Sequence, residues 1–255
     1  MNFLICAKTD VGIVKETNQD CLAVMELETC RGGMVFAVLC DGMGGLAQGE
    51  VASTSVVRAF RHWALHSLPE LCRVGIQEAE LRDQWEQIIQ DQNQRIRDYG
   101  QSMNVRMGTT AVLMLLTQER YYIMNVGDSR AYELRAGLRQ ITSDHSFVAR
   151  EIALGNVRPE DAERHPKRNV LLQCVGASSL VRPDMFSGSI AENTVYMLCS
   201  DGFRHELSAA EIFDSCSAEA LVNETVMETR ALTLIELVKQ RGERDNISLV
   251  LVKAC

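Results

Sequence analysis

The sequence predicts an α+β fold in which largely antiparallel sheets are covered by helices. Two observations carry this. Apolar runs of β type arrive in neighbouring groups, and the amphipathic helical stretches come in pairs between those groups. A doubly wound parallel sheet would alternate strand and helix more strictly. The 255 residues contain no repeat at a fixed period and no linker rich in Gly, Ser or Pro, so residues 1–255 are read as one domain.

The first group holds three strands, Phe3–Thr9, Cys21–Leu27 and Met34–Cys40, separated by short polar or Gly breaks such as Arg31-Gly32-Gly33. A helix follows over Glu50–Leu68, with Val51, Val56, Val57, Phe60, Trp63, Ala64 and Leu65 close to a 3.6-residue period and Pro69 as its stop. A second helix, about Ile76–Tyr99, carries Leu81, Trp85, Ile88, Ile96 and Tyr99 on one stripe, which suits packing on a sheet. Strands return at Thr109–Leu116 and Tyr121–Val126, and a hairpin at Ala131–Leu134 and Leu138–Ile141 turns around Gly137. Ser146–Pro183 is mixed, with a short helix near Phe147–Leu154 and a polar segment through Pro159 and Pro166. Val195–Cys199 is a strand, Ala209–Cys216 and Glu219–Gln240 read as helices, and Ile247–Val252 closes the chain as a strand.

Composition removes several classes of function. Lys and Arg number 26 against 34 Asp and Glu, a net charge of −8, which disfavours a nucleic-acid binder working through a basic face. The longest apolar run, Met34–Cys40, is far short of the roughly 20 residues that span a bilayer, so no membrane partner is expected. Met1–Asp10 lacks the basic start and apolar length of a signal peptide, and the expected setting is cytoplasmic. The nine cysteines include no Cys-x-x-Cys pair, and Cys6, Cys40, Cys174 and Cys199 sit inside apolar runs. They read as buried thiols in a reducing compartment. No Cys is followed by five residues and an Arg, and no Gly-x-x-x-x-Gly-Lys-Ser/Thr loop is present, so neither a cysteine nucleophile nor a nucleotide loop is visible.

The informative feature is where four aspartates fall. Asp41 ends Met34–Cys40, Asp128 follows Tyr121–Val126 after Gly127, Asp201 follows Val195–Cys199 after Ser200, and Asp245 precedes Ile247–Val252. Asp-Gly after a strand is ordinary turn chemistry at any one site. Four such positions would, if their strand ends gather at one edge, bring carboxylates face to face. Two carboxylates about 4 Å apart repel by roughly 4 kcal/mol at an effective dielectric of 20. Such a cluster persists only when protonated or filled by cations. Oxygen ligands without His or Cys suit Mg²⁺ or Mn²⁺. Two such ions acidify a bound water and clamp an in-line displacement at phosphorus without a covalent intermediate.

These segments resemble the PPM family, the type 2C metal-dependent serine/threonine protein phosphatases, in their compact bacterial form. The resemblance runs from Thr9 to Ser248 in the family's order: Thr9-Asp10-Val11-Gly12, Asn18-Gln19-Asp20, Asp41-Gly42-Met43-Gly44-Gly45, Gly108-Thr109-Thr110, Gly127-Asp128-Ser129-Arg130, Thr142-Ser143-Asp144-His145-Ser146, Ser200-Asp201-Gly202 and Asp245-Asn246. His165-Pro166-Lys167-Arg168-Asn169 stands where the family has a mobile flap, here within about 146–183. The resemblance implies a central sandwich of two antiparallel sheets with helix pairs on both outer faces. It also implies roles. Asp41 bridges two metal ions, the Gly42 carbonyl holds one of them, Asp201 and Asp245 complete the second site, and Asp20 acts through bound water. Asp128 with Asp201 forms a weaker third site, and a water held between the two core ions by Asp41, Asp201 and Asp245 is the nucleophile. The implied substrates are phosphoserine and phosphothreonine in proteins, with a cognate serine/threonine kinase as the opposing activity. Nothing demands more than a monomer.

Three positions depart from the family's pattern. Lys15 stands where members usually carry an Arg for the substrate phosphate, so it offers a point charge without the planar fork. Gln19 replaces a common acid, and Met43 leaves no evident general acid for the leaving group. Lys15 and Gln19 support a rival reading, a regulatory module that keeps the fold without the activity. A second rival is a hydrolase of small phosphoesters, because loops set the substrate. Among the remaining residues, His62 and His66 read as a solvent-edge pair, His145 as structural, His165 and His205 as surface residues without a partner, Arg130 as a loop tie, and the methionines as core filler.

Overall fold

The computed structural model describes residues 1–29, 31–44 and 48–255. Cys30 and Gly45, the last residue of the motif at 41–45, lie outside the described residues. The chain runs through β1 (Phe3–Asp10), β2 (Asp20–Thr29), β3 (Gly32–Gly44), α1 (Gly49–His66), α2 (Leu68–Val74), α3 (Glu78–Met103), β4 (Met107–Thr109), β5 (Ala111–Leu116) and β6 (Arg120–Val126). It continues through β7 (Arg130–Leu134), β8 (Leu138–Gln140), α4 (Phe147–Ala153), a 3₁₀ turn (Pro159–Arg164), β9 (Asp184–Ser189), β10 (Thr194–Cys199), α5 (Asp201–Arg204), α6 (Ala209–Cys216), α7 (Glu224–Gln240) and β11 (Ile247–Ala254).

The strands form two antiparallel sheets, ordered β1-β11-β10-β7-β8 and β2-β3-β5-β6-β9, with β4 paired to the end of β3. Three apolar layers result, and the alternation of strand side chains builds them. Val35, Ala37 and Leu39 of β3 face Val250 and Val252 of β11 and Tyr196 and Leu198 of β10 between the sheets. On the opposite side of β3, Met34, Phe36, Val38 and Cys40 pack beneath α1, α2 and α3. Val195, Met197 and Cys199 of β10 and Leu249 and Leu251 of β11 pack under α6 and α7. The expected sandwich with helices on both outer faces is the observed architecture.

An aromatic cluster anchors the first helical layer. The Phe36 ring lies 5.4 Å from Trp63 and 6.0 Å from Trp85, and the two indoles meet edge-on at 5.5 Å. Trp85 thus packs on the sheet as its helical stripe predicts.

The details correct several expectations. Pro69 does not merely stop a helix: α1 ends at His66, and Pro69 sits in the first turn of α2, where a missing N–H costs nothing. Val51, Leu65 and Tyr99 are exposed, and the buried stripe of α3 uses Ile89, Gln92 and Asn93 instead. The strand expected from Thr109 is divided into β4 and β5, and β4 extends the β3 ladder beyond Asp41 to Gly44. The last helix begins at Glu224, capped by Asn223 Oδ1, which accepts from Val226 N–H at 2.9 Å, and not at Glu219. β9 has no counterpart among the strands that the sequence predicts. Its half-buried residues lie at a sheet edge and lack an apolar run. His165 is half-buried and stacks on Phe147 at 5.7 Å, so it is not a bare surface residue.

Cys6, Cys21, Cys40, Cys174, Cys199, Cys216 and Cys255 are free thiols, and Cys6, Cys40, Cys72, Cys174, Cys199 and Cys216 are buried, as their apolar neighbours predict. No helix among the described residues is long and apolar enough to cross a membrane.

Candidate active site

The strand register brings the acids together. Asp20, the first residue of β2, pairs directly with Asp41 on β3. Thr9 of β1 pairs with Ser248 of β11, and their hydroxyls lie 2.7 Å apart. Asn18 joins β2 to this point by donating its side-chain amide to Thr9 Oγ1 at 2.7 Å. The Ser248 N–H donates to Ser200 Oγ at 3.0 Å, which ties β11 to the residue before Asp201. Asp128 joins through a hydroxyl relay. Asp41 N–H donates to Thr110 Oγ1 at 2.9 Å, and that oxygen lies 2.7 Å from Ser129 Oγ. Five carboxylates, three at strand ends and two at strand starts, therefore face a common space.

Asn246 is the clamp on the opening loop. Its side-chain oxygen accepts from Gln19 N–H at 2.9 Å, and its nitrogen donates to the carbonyls of Val11 and Thr17 at 2.9 and 3.2 Å. The loop it holds carries Lys15, whose Nζ sits 2.9 Å from Asp245 Oδ1. Gly12, at φ +79°, faces the Asp245 carbonyl so closely that an added Cβ would stand 2.5 Å from that oxygen.

The electrostatics are those of crowded like charges. Burial, with Ser248 and Ser200 hydroxyls softening it and Asp201 and Asp245 adding repulsion, pushes the Asp20 carboxyl up to about 7. The serine hydroxyls do not complete hydrogen bonds, since neither Asp20 oxygen has a partner. Asp41 keeps part of its surface open, but the packed protein around it raises its pKa well above the carboxylate range, and Asp20 and Asp201 raise it further. Asp128 is pushed up to about 6 by burial and Asp201, against the opposing pull of Arg204. Burial works against the Lys15 ammonium, yet Asp245, with Asp41 and Asp201 behind it, holds its pKa above the ordinary value.

This arrangement fits divalent cations. Both oxygens of Asp20 and Oδ1 of Asp201 are buried without a hydrogen-bond partner, a costly state that a hard cation or its water shell relieves. Among the described residues no three His, Cys, Asp or Glu side chains close into a ready-made shell; the carboxylates line a space instead. Asp20, Asp41, Asp128, Asp201 and Asp245 are all at its edge.

Other predicted residues fall into place around them. Gln19 is buried, and in the orientation that satisfies both groups its amide donates to the Gly42 carbonyl at 3.3 Å and accepts from Gly49 N–H at 3.2 Å. It braces the entry to α1. The Gly42 carbonyl keeps its second lone pair for another partner. Arg130 ties a loop as expected, forking onto Asp144 at 2.8 and 2.7 Å. His145 is structural: its Nδ1 accepts from Gly127 N–H at 3.2 Å, and its Nε2 lies 3.0 Å from Asp184. His62 and His66 are exposed with rings 4.3 Å apart, the predicted solvent-edge pair.

His205 is the correction. It keeps an exposed edge but has two carboxylate partners, Asp201 Oδ2 at 3.7 Å from Nε2 and Glu243 Oε2 at 3.4 Å from Nδ1. The four-residue step from Asp201 to His205 was visible in the sequence, but the one-turn α5 that makes it meaningful was not.

Comparison with known proteins agrees with this geometry. The protein phosphatase 2C family model matches residues 13–233. The serine/threonine phosphatase stp of Listeria monocytogenes is 33% identical over 249 residues, 96% of this chain and 94% of that protein. The solved serine/threonine phosphatase of S. agalactiae superposes with a TM-score of 0.85 at 30% identity, covering 100% of both chains. The catalytic domain of the serine/threonine protein phosphatase PstP, solved in complex with 2 manganese ions, matches at a TM-score of 0.77 and 27% identity over 99% of each chain.

Proposed function

The chain belongs to the protein phosphatase 2C family, and from that premise we infer that its carboxylate cluster is the active site of a metal-dependent protein serine/threonine phosphatase. It removes phosphate from phosphoserine and phosphothreonine in proteins. The observation that carries the assignment of the site is the convergence of Asp20, Asp41, Asp128, Asp201 and Asp245 with unpartnered carboxylate oxygens among them.

In this reading Asp41, the Gly42 carbonyl, Asp201 and Asp245 would hold two core ions, Mn²⁺ or Mg²⁺. Asp20 would act through water, and Asp128 with Asp201 would hold a weaker third ion. When bound, the cations acidify water and neutralise the charge that builds on the phosphoryl oxygens. The chain's own residues bind and orient. Lys15, half-exposed beside Asp245, receives the substrate phosphate, and its loop is held by Asn246 and by Asp10, whose Oδ1 accepts from Gly12 N–H at 2.7 Å. Asn246 N–H donates to Asp245 Oδ1 at 2.9 Å and so fixes that carboxylate's rotamer. Gln19, one ground for the reading as a regulatory module, serves here as a brace on Gly42 and Gly49. The proposal includes a single catalytic domain over 1–255, a monomer, an opposing serine/threonine kinase, and a cytoplasmic setting that the buried thiols Cys6, Cys40, Cys174, Cys199 and Cys216 favour.

The test is phosphate release from a phosphothreonine peptide with Mn²⁺ and with a chelator, beside release from a small aryl phosphate. Metal-dependent release that favours the peptide is expected. Lys15→Ala is expected to raise KM for the peptide by about tenfold, with a smaller change in kcat, and Lys15→Arg to lower KM below wild type. No release from folded protein at millimolar Mn²⁺ would contradict the assignment, and equal preference for the aryl ester would return the small-phosphoester reading.

A further inference from the structure

Outside the carboxylates that the metal reading uses, one buried acid touches the supports of two of them. Glu243 is 8% exposed, in a stretch of otherwise polar and open residues. Its Oε1 accepts from the backbone N–H groups of Arg244 and Asp245, at 2.7 and 2.9 Å. Its other oxygen lies 3.4 Å from Nδ1 of His205, whose Nε2 is turned toward Oδ2 of Asp201 at 3.7 Å. One carboxylate therefore sets the backbone of Asp245 with one oxygen and the ring facing Asp201 with the other. His205 leaves the one-turn α5 directly after Arg204, so its ring reaches back over the turn that carries Asp201.

We propose that Glu243 and His205 are positioning residues that orient Asp201 and Asp245 for cation binding. The proposal rests on the assignment of Asp201 and Asp245 as metal ligands. Its physical basis is that a ligating carboxylate gains affinity when its rotamer is fixed before the cation arrives. An imidazole held by a second carboxylate is a rigid donor for that purpose. Asp201 Oδ2 is then the oxygen that faces the ring at ion-pair distance, 3.7 Å, while Oδ1, which has no protein partner, is the oxygen left for the cation. Neither residue touches substrate. Lys8 and Glu228, or Arg241 and Glu211, form pairs of similar composition, but they lie on exposed faces and meet none of the clustered aspartates.

The experiment is calorimetric titration of the metal-free full chain with Mn²⁺, for wild type, His205→Ala, His205→Gln, Glu243→Gln and Asp201→Asn, with circular dichroism confirming the fold of each. His205→Ala and Glu243→Gln are expected to weaken Mn²⁺ binding by about 10–100-fold, and His205→Gln, which keeps a side-chain donor, to recover part of the loss. Asp201→Asn is expected to lose more than either. If Asp201→Asn weakens binding while His205→Ala and Glu243→Gln stay within about twofold of wild type, well below that range, the positioning role is overturned and the metal assignment stands. If Asp201→Asn binds Mn²⁺ as wild type does, the metal assignment itself fails and the positioning role falls with it. Should Glu243→Gln fail to fold, His205→Ala decides alone, since its half-exposed ring is not part of the core.

Discussion

Asp41→Asn is expected to lower kcat/KM on a phosphothreonine peptide by on the order of a thousandfold or more, because it removes the charge at the centre of the site. Asp41 is the one carboxylate that feels all the others: Asp20, Asp201, Asp128 and Asp245 each raise its pKa, after burial. It is also the best anchored. Its N–H donates to Thr110 Oγ1, its carbonyl accepts from Thr110 N–H and Thr109 Oγ1, each at 2.9 Å, and its strand continues through the β4 pairing. The amide is nearly isosteric and leaves those backbone bonds intact, so the loss should appear in turnover and not in folding. Retention of more than a tenth of wild-type activity would show that Asp41 is not central. Steady-state phosphate release decides it.

Gly202→Ala is expected to destabilise the fold strongly, because the added methyl meets fixed backbone. A Cβ there would stand 2.2 Å from the Asn246 carbonyl oxygen and 3.4 Å from Asp245 Cβ, both on the chain entering β11. A backbone oxygen cannot swing aside as a flexible side chain does. Either α5 or the 245–246 segment must move, and Asn246 is the clamp that holds Val11, Thr17 and Gln19. The expected cost is about 3 kcal/mol or more, from overpacking against fixed backbone. At roughly 2–4 °C per kcal/mol for a chain of this size, the melting temperature should fall by around 10 °C. Metal affinity should fall with it, because Asp201 and Asp245 are the residues driven apart. A melting temperature within a degree or two of wild type would contradict this close approach.

How much of this could be read beforehand depends on where each signal lives. Asp41, Asp128 and Asp201 announce themselves because each ends a strand whose apolar run is easy to see, and Asp245 because it opens one. Their convergence follows from antiparallel pairing, which places β3, β10 and β11 in adjoining positions of a two-sheet stack. Asp20 stands directly before the apolar run Cys21–Leu27 and so carries the same kind of signal as Asp245, but the sequence reading reaches it only through the family's motif. Pro69 misled because the same residue that ends one helix is tolerated in the first turn of the next. β9 was hidden because an edge strand needs no continuous apolar run. The His205 and Glu243 contacts were hidden for a different reason. His205 meets Asp201 through a single turn of helix, and Glu243 reaches it from the far end of the chain, so no local pattern records the meeting.

The central claim is that the fold forces carboxylates together and relies on cations to make that arrangement favourable. The direct measurement is the melting temperature of metal-free wild type and Asp41→Asn at acid and at mildly alkaline pH, each with and without Mn²⁺. Asp20 is pushed up to about 7 and Asp128 to about 6, against an ordinary value of 3.8. Between 3.8 and those values the folded chain holds protons that the unfolded chain has released, so stability present at low pH is lost as pH rises. The loss is on the order of a few kcal/mol, at roughly 1.4 kcal/mol for each tenfold change in proton affinity. Both metal-free proteins should therefore lose stability between about pH 4 and pH 7 through Asp20 and Asp128, the wild type more than Asp41→Asn because the Asp41 carboxyl is itself held well above the carboxylate range, and Mn²⁺ should restore the wild type and not the variant. Parallel behaviour of the two proteins across that range, with Mn²⁺ shifting both or neither, would contradict the claim.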